Sequence, residues 1–260
     1  MPRETSQDRK ENRAYKRDTK KNKKRKTFYN IIIVVLLIVI GFSLFQIGKI
    51  LWGYYHSSKT YANIAEMAGI DSKDSDKVDF DELLKKNPDT KAWIKREDIG
   101  LNYPVMQAED NDYYLYRLFN GEYSKNGSLF IDYRNENPFK DFLTIVYGHH
   151  MKDGSMFAPI MKYRTQDFYD KHKKIHFYTP EQKYILVIVG AAYIDASASQ
   201  YKFYFNEAEK ASYIEWLKSG SVIKTDEEVT PEDHLVMLST CVDASSDNRF
   251  VVYGKLVPQE

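Results

Sequence analysis

One stretch of the chain is apolar almost without relief. Ile31 to Ile47 reads IIIVVLLIVIGFSLFQI, with Ser43 and Gln46 as its polar intrusions. Taken from Phe28 to Trp52 the run is long enough to cross a hydrocarbon core as a helix, which needs roughly 20 residues. Phe28 and Tyr29 flank one end and Trp52, Tyr54 and Tyr55 the other, where interfacial aromatic belts sit. A cleaved leader would have a shorter apolar core and a small-residue cleavage site. The run is instead followed by Lys49-Ile-Leu-Trp-Gly-Tyr-Tyr55, so the pattern predicts an uncleaved N-terminal anchor.

Beyond the span the apolar positions fall into short groups. Tyr61, Ile64 and Met67 recur at helical spacing up to Gly69, which predicts a short helix over 57–67. Residues 71–77 are polar and turn-like. Asp79 opens a second helix over Phe80–Lys86, which Asn87-Pro88 stops, because a residue before proline resists the helical region. Strand patterns then follow at Ala92–Ile94, Leu101–Met106, Ser128–Tyr133, Thr144–Tyr147, Lys174–Tyr178 and Tyr184–Tyr193. Pro104 marks an edge or a bulge in the second of these. Helical spacing returns at 110–119, capped by Asp110 or Asn111, at 156–169, and at 206–218. Two final strands surround the polar loop Asp243–Asn248: the run from His234 to Ser239, and the one opening at Arg249. About eight short strands with helices in the connections predict a mainly β fold, a closed or nearly closed barrel. The pattern contains no βαβ alternation, no Gly-rich phosphate loop, no internal repeat and no second apolar run of spanning length. It divides the chain into a tail (1–27), a transmembrane helix (28–52), a helical stalk or cap (53–88) and a β domain (89–260).

Charge gives the span a direction. Of 38 Lys/Arg and 37 Asp/Glu, residues 1–26 hold 12 and 4, a local charge of +8, which leaves 26 and 33, or −7, for the remainder. Lys20-Lys-Asn-Lys-Lys-Arg-Lys26 stands directly before the apolar run, and basic flanks stay cytoplasmic. The β domain is therefore expected outside the cell membrane, on a single-pass anchor. An acidic body also argues against nucleic acid as a partner.

Cys241 is the sole cysteine, so no internal disulfide can form. It ends an apolar strand, and Arg249 opens the next. The thiol is either a nucleophile or a small buried hydrophobe. A nucleophile needs an acid/base and a positive group for the oxyanion. His149 and His150 follow a strand end directly, as Cys241 does. His172 and His176 lie near a helix–strand turn and fit surface or structural roles as well, and His56 is next to the membrane. His234 stands at the far end of the cysteine strand, roughly 23 Å away by strand rise. Asp243 could orient a catalytic group or simply be solvated.

Tyr147-Gly-His-His-Met151, Met237-Leu-Ser-Thr-Cys241 and Arg249-Phe-Val-Val occur in that order, and with them the chain resembles the sortases, membrane-anchored cysteine transpeptidases of Gram-positive bacteria. The likeness is to class B and covers roughly residues 80–258. Asn102-Tyr-Pro-Val, Gly127–Arg134, Lys152–Phe157 and the helix before the last two strands contribute to it. Met237 departs from the family's T-L-x-T-C pattern, which has Thr there. The resemblance implies a closed eight-stranded barrel with helical insertions and an N-terminal helical cap. It implies Cys241 as nucleophile, His149 as acid/base and Arg249 as oxyanion partner. Asn111, Leu115, Tyr147 and Ser239 are similar to substrate-groove residues, with ordinary packing and capping as the other reading. It implies no cofactor and no metal. The implied partners are secreted proteins with a C-terminal sorting signal (NPxT[NG]-like) and the amine of a lipid-linked peptidoglycan precursor. A membrane-anchored cysteine endopeptidase using water, a pilus-assembling sortase and a non-enzymatic surface module remain as alternatives.

Overall fold

A computed structural model describes residues 6–70, 77–242 and 247–259. The loop aspartate Asp243 and most of the turn expected at 71–77 lie outside the described residues. The chain divides into two compact units, residues 1–52 and 53–260. In the first, the apolar side chains from Ile31 to Ile47 are all exposed, on a helix long and apolar enough to cross a membrane. That helix, α1 (Ser6–Met67), continues unbroken through 57–67, so the separate short helix read from spacing is its final turns.

In the second unit these final turns bury Tyr61, Ile64, Ala65 and Ala68. They are fastened by polar contacts: Tyr61 donates to the Gly127 carbonyl at 2.8 Å, Ser57 and Ser124 share a hydrogen bond, and His56 meets Glu122 at 2.8 Å. Asp79 caps α2 (Phe80–Lys86) by accepting from the Glu82 N–H.

Eight strands close into a barrel: β1 (Thr90–Arg96), β2 (Leu101–Met106), β3 (Leu129–Ile131), β4 (Leu143–Tyr147), β5 (Lys174–Tyr178), β6 (Lys183–Asp195), β7 (Leu235–Cys241) and β8 (Asn248–Pro258). Their order around it is β1-β2-β3-β4-β7-β8-β6-β5. Two junctions are parallel, β2 with β3 and β4 with β7. Pro104 lies at a local edge, as expected: it pairs with Trp93 of β1, while on the other side of β2 the strand β3 reaches only Val105 and Met106, so the missing N–H falls where there is no second neighbour.

β7 shows why its sequence is continuously apolar. Val236 and Leu238 join the first core cluster, Leu235 and Met237 a second one against α4 (Glu207–Gly220). A strand covered on both faces loses the alternation of a half-exposed one. Gly190, at a bulge in β6, lets α4 in, since a Cβ there would stand 2.7 Å from the Leu217 side chain.

Two helical expectations are corrected. Residues 110–119 form a single 3₁₀ turn, Tyr114–Tyr116, because the Asp110 carboxylate accepts from the Asp112 and Tyr113 N–H groups and closes a local turn. Residues 156–169 form a 3₁₀ segment, Ala158–Arg164, followed by α3 (Gln166–Lys171).

Candidate active site

The parallel pairing of β4 with β7 sets Tyr147 beside Ser239, so the chain leaving β4 runs alongside the end of β7. Three hydrogen bonds hold that path: Gly148 N–H to the Ser239 carbonyl (3.1 Å), Thr240 hydroxyl to the Gly148 carbonyl (2.8 Å) and His150 Nδ1 to the Val242 carbonyl (3.0 Å). Gly148 is required here. A Cβ would collide with the side chains of Leu129 and Phe157.

His149 is half-buried and oriented from two sides. Its Nε2 donates to the Leu115 carbonyl at 2.8 Å, and its ring lies 6.3 Å from that of Tyr116. A carbonyl only accepts, so Nε2 carries a proton and Nδ1 is the nitrogen left for proton exchange. His150 is exposed and serves as a tie between its loop and the end of β7.

Cys241 is half-buried and stands directly opposite Arg249 in the antiparallel β7–β8 pair. Alternation puts Ser239 and Cys241 on the same face of β7 as Leu235 and Met237. On β8, Arg249 shares a face with Val251 and Tyr253 in the same way. The thiol and the guanidinium therefore line the α4 side of the sheet, past the end of the second core cluster.

Two of the expected groove residues, Asn111 and Tyr147, are drawn together by a carboxylate that the sequence pattern does not mark. Asp132 is fully buried just after β3. It accepts from Asn111 Nδ2 (3.1 Å), from the Tyr147 hydroxyl (2.9 Å) and from the Arg134 guanidinium through both oxygens (2.9 and 2.8 Å). Burial alone would raise its pKa, but the Arg134 bonds, the Arg134 N–H and the Tyr147 hydroxyl together hold it below the usual carboxylate range. Burial, then the Asp132 charge, push the Tyr147 hydroxyl well up. Asn111 also accepts from the Tyr133 N–H, so it bridges two segments rather than capping a helix.

Tyr201, in the stretch before α4, is a second residue that the sequence pattern did not single out. Its ring stacks on Tyr147 and its hydroxyl meets Ser239 Oγ at 2.8 Å. Burial pushes that hydroxyl up, the Ser239 bond and the Arg249 charge oppose the rise, and the Cys241 charge adds to it. Tyr201 thus feels both ends of the Cys241–Arg249 pair. The Leu115 side chain packs against the first core while its carbonyl holds His149. His234 and His172 lie elsewhere, against the Asp141 and Phe168 carbonyls. A tyrosine opening the short aromatic run Tyr201–Phe205 and a carboxylate ending a strand carry no periodic signal, which is why neither stood out.

The ends of β4, β7 and β8, which are neighbours in the barrel, thus carry an imidazole, a thiol and a guanidinium, groups of the kinds that acyl transfer employs. The sortase domain family matches residues 94–257. Sortase B of Staphylococcus aureus is 34% identical over 240 residues, covering 89% of this chain and 96% of its own. Among solved structures, sortase B of B. anthracis superposes with a TM-score of 0.72 at 34% identity, over 80% of this chain and 100% of that one. The S. aureus sortase B–substrate complex gives a TM-score of 0.66 at 38% identity, over 70% and 85%.

Proposed function

The chain belongs to the sortase family, as a cysteine transpeptidase of the class B type, and on that premise we propose that it joins secreted proteins to a cell-wall amine from the outer face of the membrane. The observation that carries this is the register setting Cys241 opposite Arg249, with the Gly148–His150 loop bonded along the end of β7. In the first stage Cys241 attacks the Thr carbonyl of an NPxT[NG]-like signal. His149 takes the thiol proton and passes it to the departing amine, and Arg249 stabilises the oxyanion. The product is a thioester acyl-enzyme. In the second stage an acceptor amine attacks that carbonyl, forming a C–N bond as the C–S bond breaks. His149 takes a proton from the attacking nitrogen and returns it to the sulfur.

Asn111, Leu115, Tyr147 and Ser239 line the donor groove in this reading. The substrate-bound S. aureus relative and the buried Asp132, which fixes Asn111 and Tyr147, support it. The exposed apolar helix and its basic flank support an N-in anchor, and a lipid-linked precursor is the acceptor such an anchor would meet.

Mass spectrometry of a sorting-signal peptide library incubated with the full chain in detergent, with and without triglycine or a diamino-acid peptide, tests this. The expected products are an adduct on Cys241, cleavage after Thr and transfer to the amine. Release of free acid alone, whatever the amine, would leave a hydrolase instead.

A further inference from the structure

The acceptor amine of the reaction above reaches the enzyme chiefly as an ammonium ion at neutral pH. It has to be held beside His149 until it sheds a proton. The surface next to His149 is aromatic. Tyr116 lies 6.3 Å from the imidazole, and Tyr123 stacks on Tyr116 at 6.4 Å with 21° between the ring planes. Both rings are open to solvent, with 46% and 68% of their surface exposed. Burial of two tyrosines would need no further account, but two stacked and exposed rings beside a proton carrier do.

The pair is prebuilt. The Tyr116 carbonyl accepts from the Ser124 N–H, the Arg117 carbonyl accepts from the Ser128 hydroxyl, and Arg117 pairs with Tyr123 in an antiparallel bridge. The neighbouring cation is engaged elsewhere: the Arg117 guanidinium lies 4.9 Å over the Tyr113 ring and donates to the Gly121 carbonyl at 3.1 Å. Next to Tyr123, Glu122 is held below the usual carboxylate range by its hydrogen bonds to His56 and Asn120. The segment carrying Tyr123 is also fastened to His56 and Ser57, the residues that follow the apolar span. The faces of tyrosine rings carry negative quadrupolar charge and attract an ammonium group.

We infer that Tyr116 and Tyr123 form the acceptor subsite, a π platform that receives the ammonium end of the incoming amine next to His149. This rests on the transpeptidase reading above. On the platform the ammonium releases one proton to water, which balances the proton that the released donor amine takes up. The neutral nitrogen then attacks the thioester, and its second proton goes to His149.

The test compares the full chain with Tyr123→Leu, Tyr116→Leu, the double Leu variant and the double Phe variant. Amine transfer is expressed relative to donor cleavage in each. The KM for triglycine or a diamino-acid peptide is expected to rise about three-fold for Tyr123→Leu and about ten-fold for the double Leu variant, with the larger part of the loss in KM rather than kcat. The double Phe variant keeps the ring faces and is expected to stay within about two-fold of wild type. Hydroxylamine, uncharged at neutral pH, is expected to show no such loss. An unaltered triglycine KM in the double Leu variant would overturn the inference. Equal losses with Leu and Phe, or with ammonium acceptors and hydroxylamine, would overturn it as well, leaving a structural role for the rings. If wild type transfers to no amine at all, the transpeptidase reading falls and the platform with it; normal wild-type transfer with indifferent tyrosines removes the platform alone.

Discussion

Gly148 has room for a hydrogen and nothing larger, because Leu129 and Phe157 close on it from two sides. Gly148→Ala is expected to cost about 1–3 kcal/mol by overpacking, measured by urea unfolding. Activity should fall further than stability alone predicts, since the displaced segment carries His149. The two adjacent histidines divide the work: one is oriented by the Leu115 carbonyl, the other ties its loop to Val242. His149→Ala is therefore expected to lower kcat by about 10²-fold or more, and His150→Ala by less than about tenfold, in the same peptide-cleavage assay. The opposite ranking would reverse the roles. Asp132 gives a pH dependence of definite sign. Its folded-state pKa is depressed, so its contribution is complete above the unfolded value of about 3.9 and is lost as pH falls toward the lower folded value. Urea midpoints followed from about pH 4 down to about pH 2 should drop more steeply in wild type than in Asp132→Asn, which has no such proton to gain.

At the scale of elements, α4 holds the outer face of the strands that carry the site, and its N-terminus is a full capping box. Asn206 accepts from the Glu209 N–H, and the Glu209 carboxylate accepts from the Asn206 N–H. Asn206→Ala should cost about 1 kcal/mol, read as a lower melting temperature, and the larger loss should come from side chains that tether α4 to the barrel, such as Tyr213 on Tyr253. Strands and helices of this kind were legible in the sequence because each writes a period or a cap: Asp79 before α2, Asn206 before α4, the two-sided apolar run of β7. The 110–119 segment was not, because Asp110 spends its carboxylate on a local turn and Asn111 is diverted to Asp132 and the Tyr133 N–H. Cys241, His149 and Arg249 could be picked out by position at strand ends and by family likeness. Tyr201, Asp132 and the Tyr116–Tyr123 pair belong to contacts between distant segments, which no local pattern encodes.

For the molecule as a whole, the parallel β4–β7 junction has a consequence in time rather than in space. Tyr147 and Ser239 pair although they stand 92 positions apart in the numbering, and helix α4 with its approaches must be laid down between them. Ordering so long a loop before any contact rewards it makes such a junction a slow step of folding. A chain that emerges N-terminus first presents His149 well before Cys241, and on the proposed mechanism the two cannot work together until the last two strands dock. Refolded from urea, the protein is expected to regain near-ultraviolet tertiary signal and labelling of Cys241 by an acyl-donor peptide in the same slow phase, with helical signal returning earlier. Labelling that preceded the tertiary signal would show a site assembled without the closed barrel. The enzyme therefore carries its own delay, staying chemically silent for as long as its barrel is open.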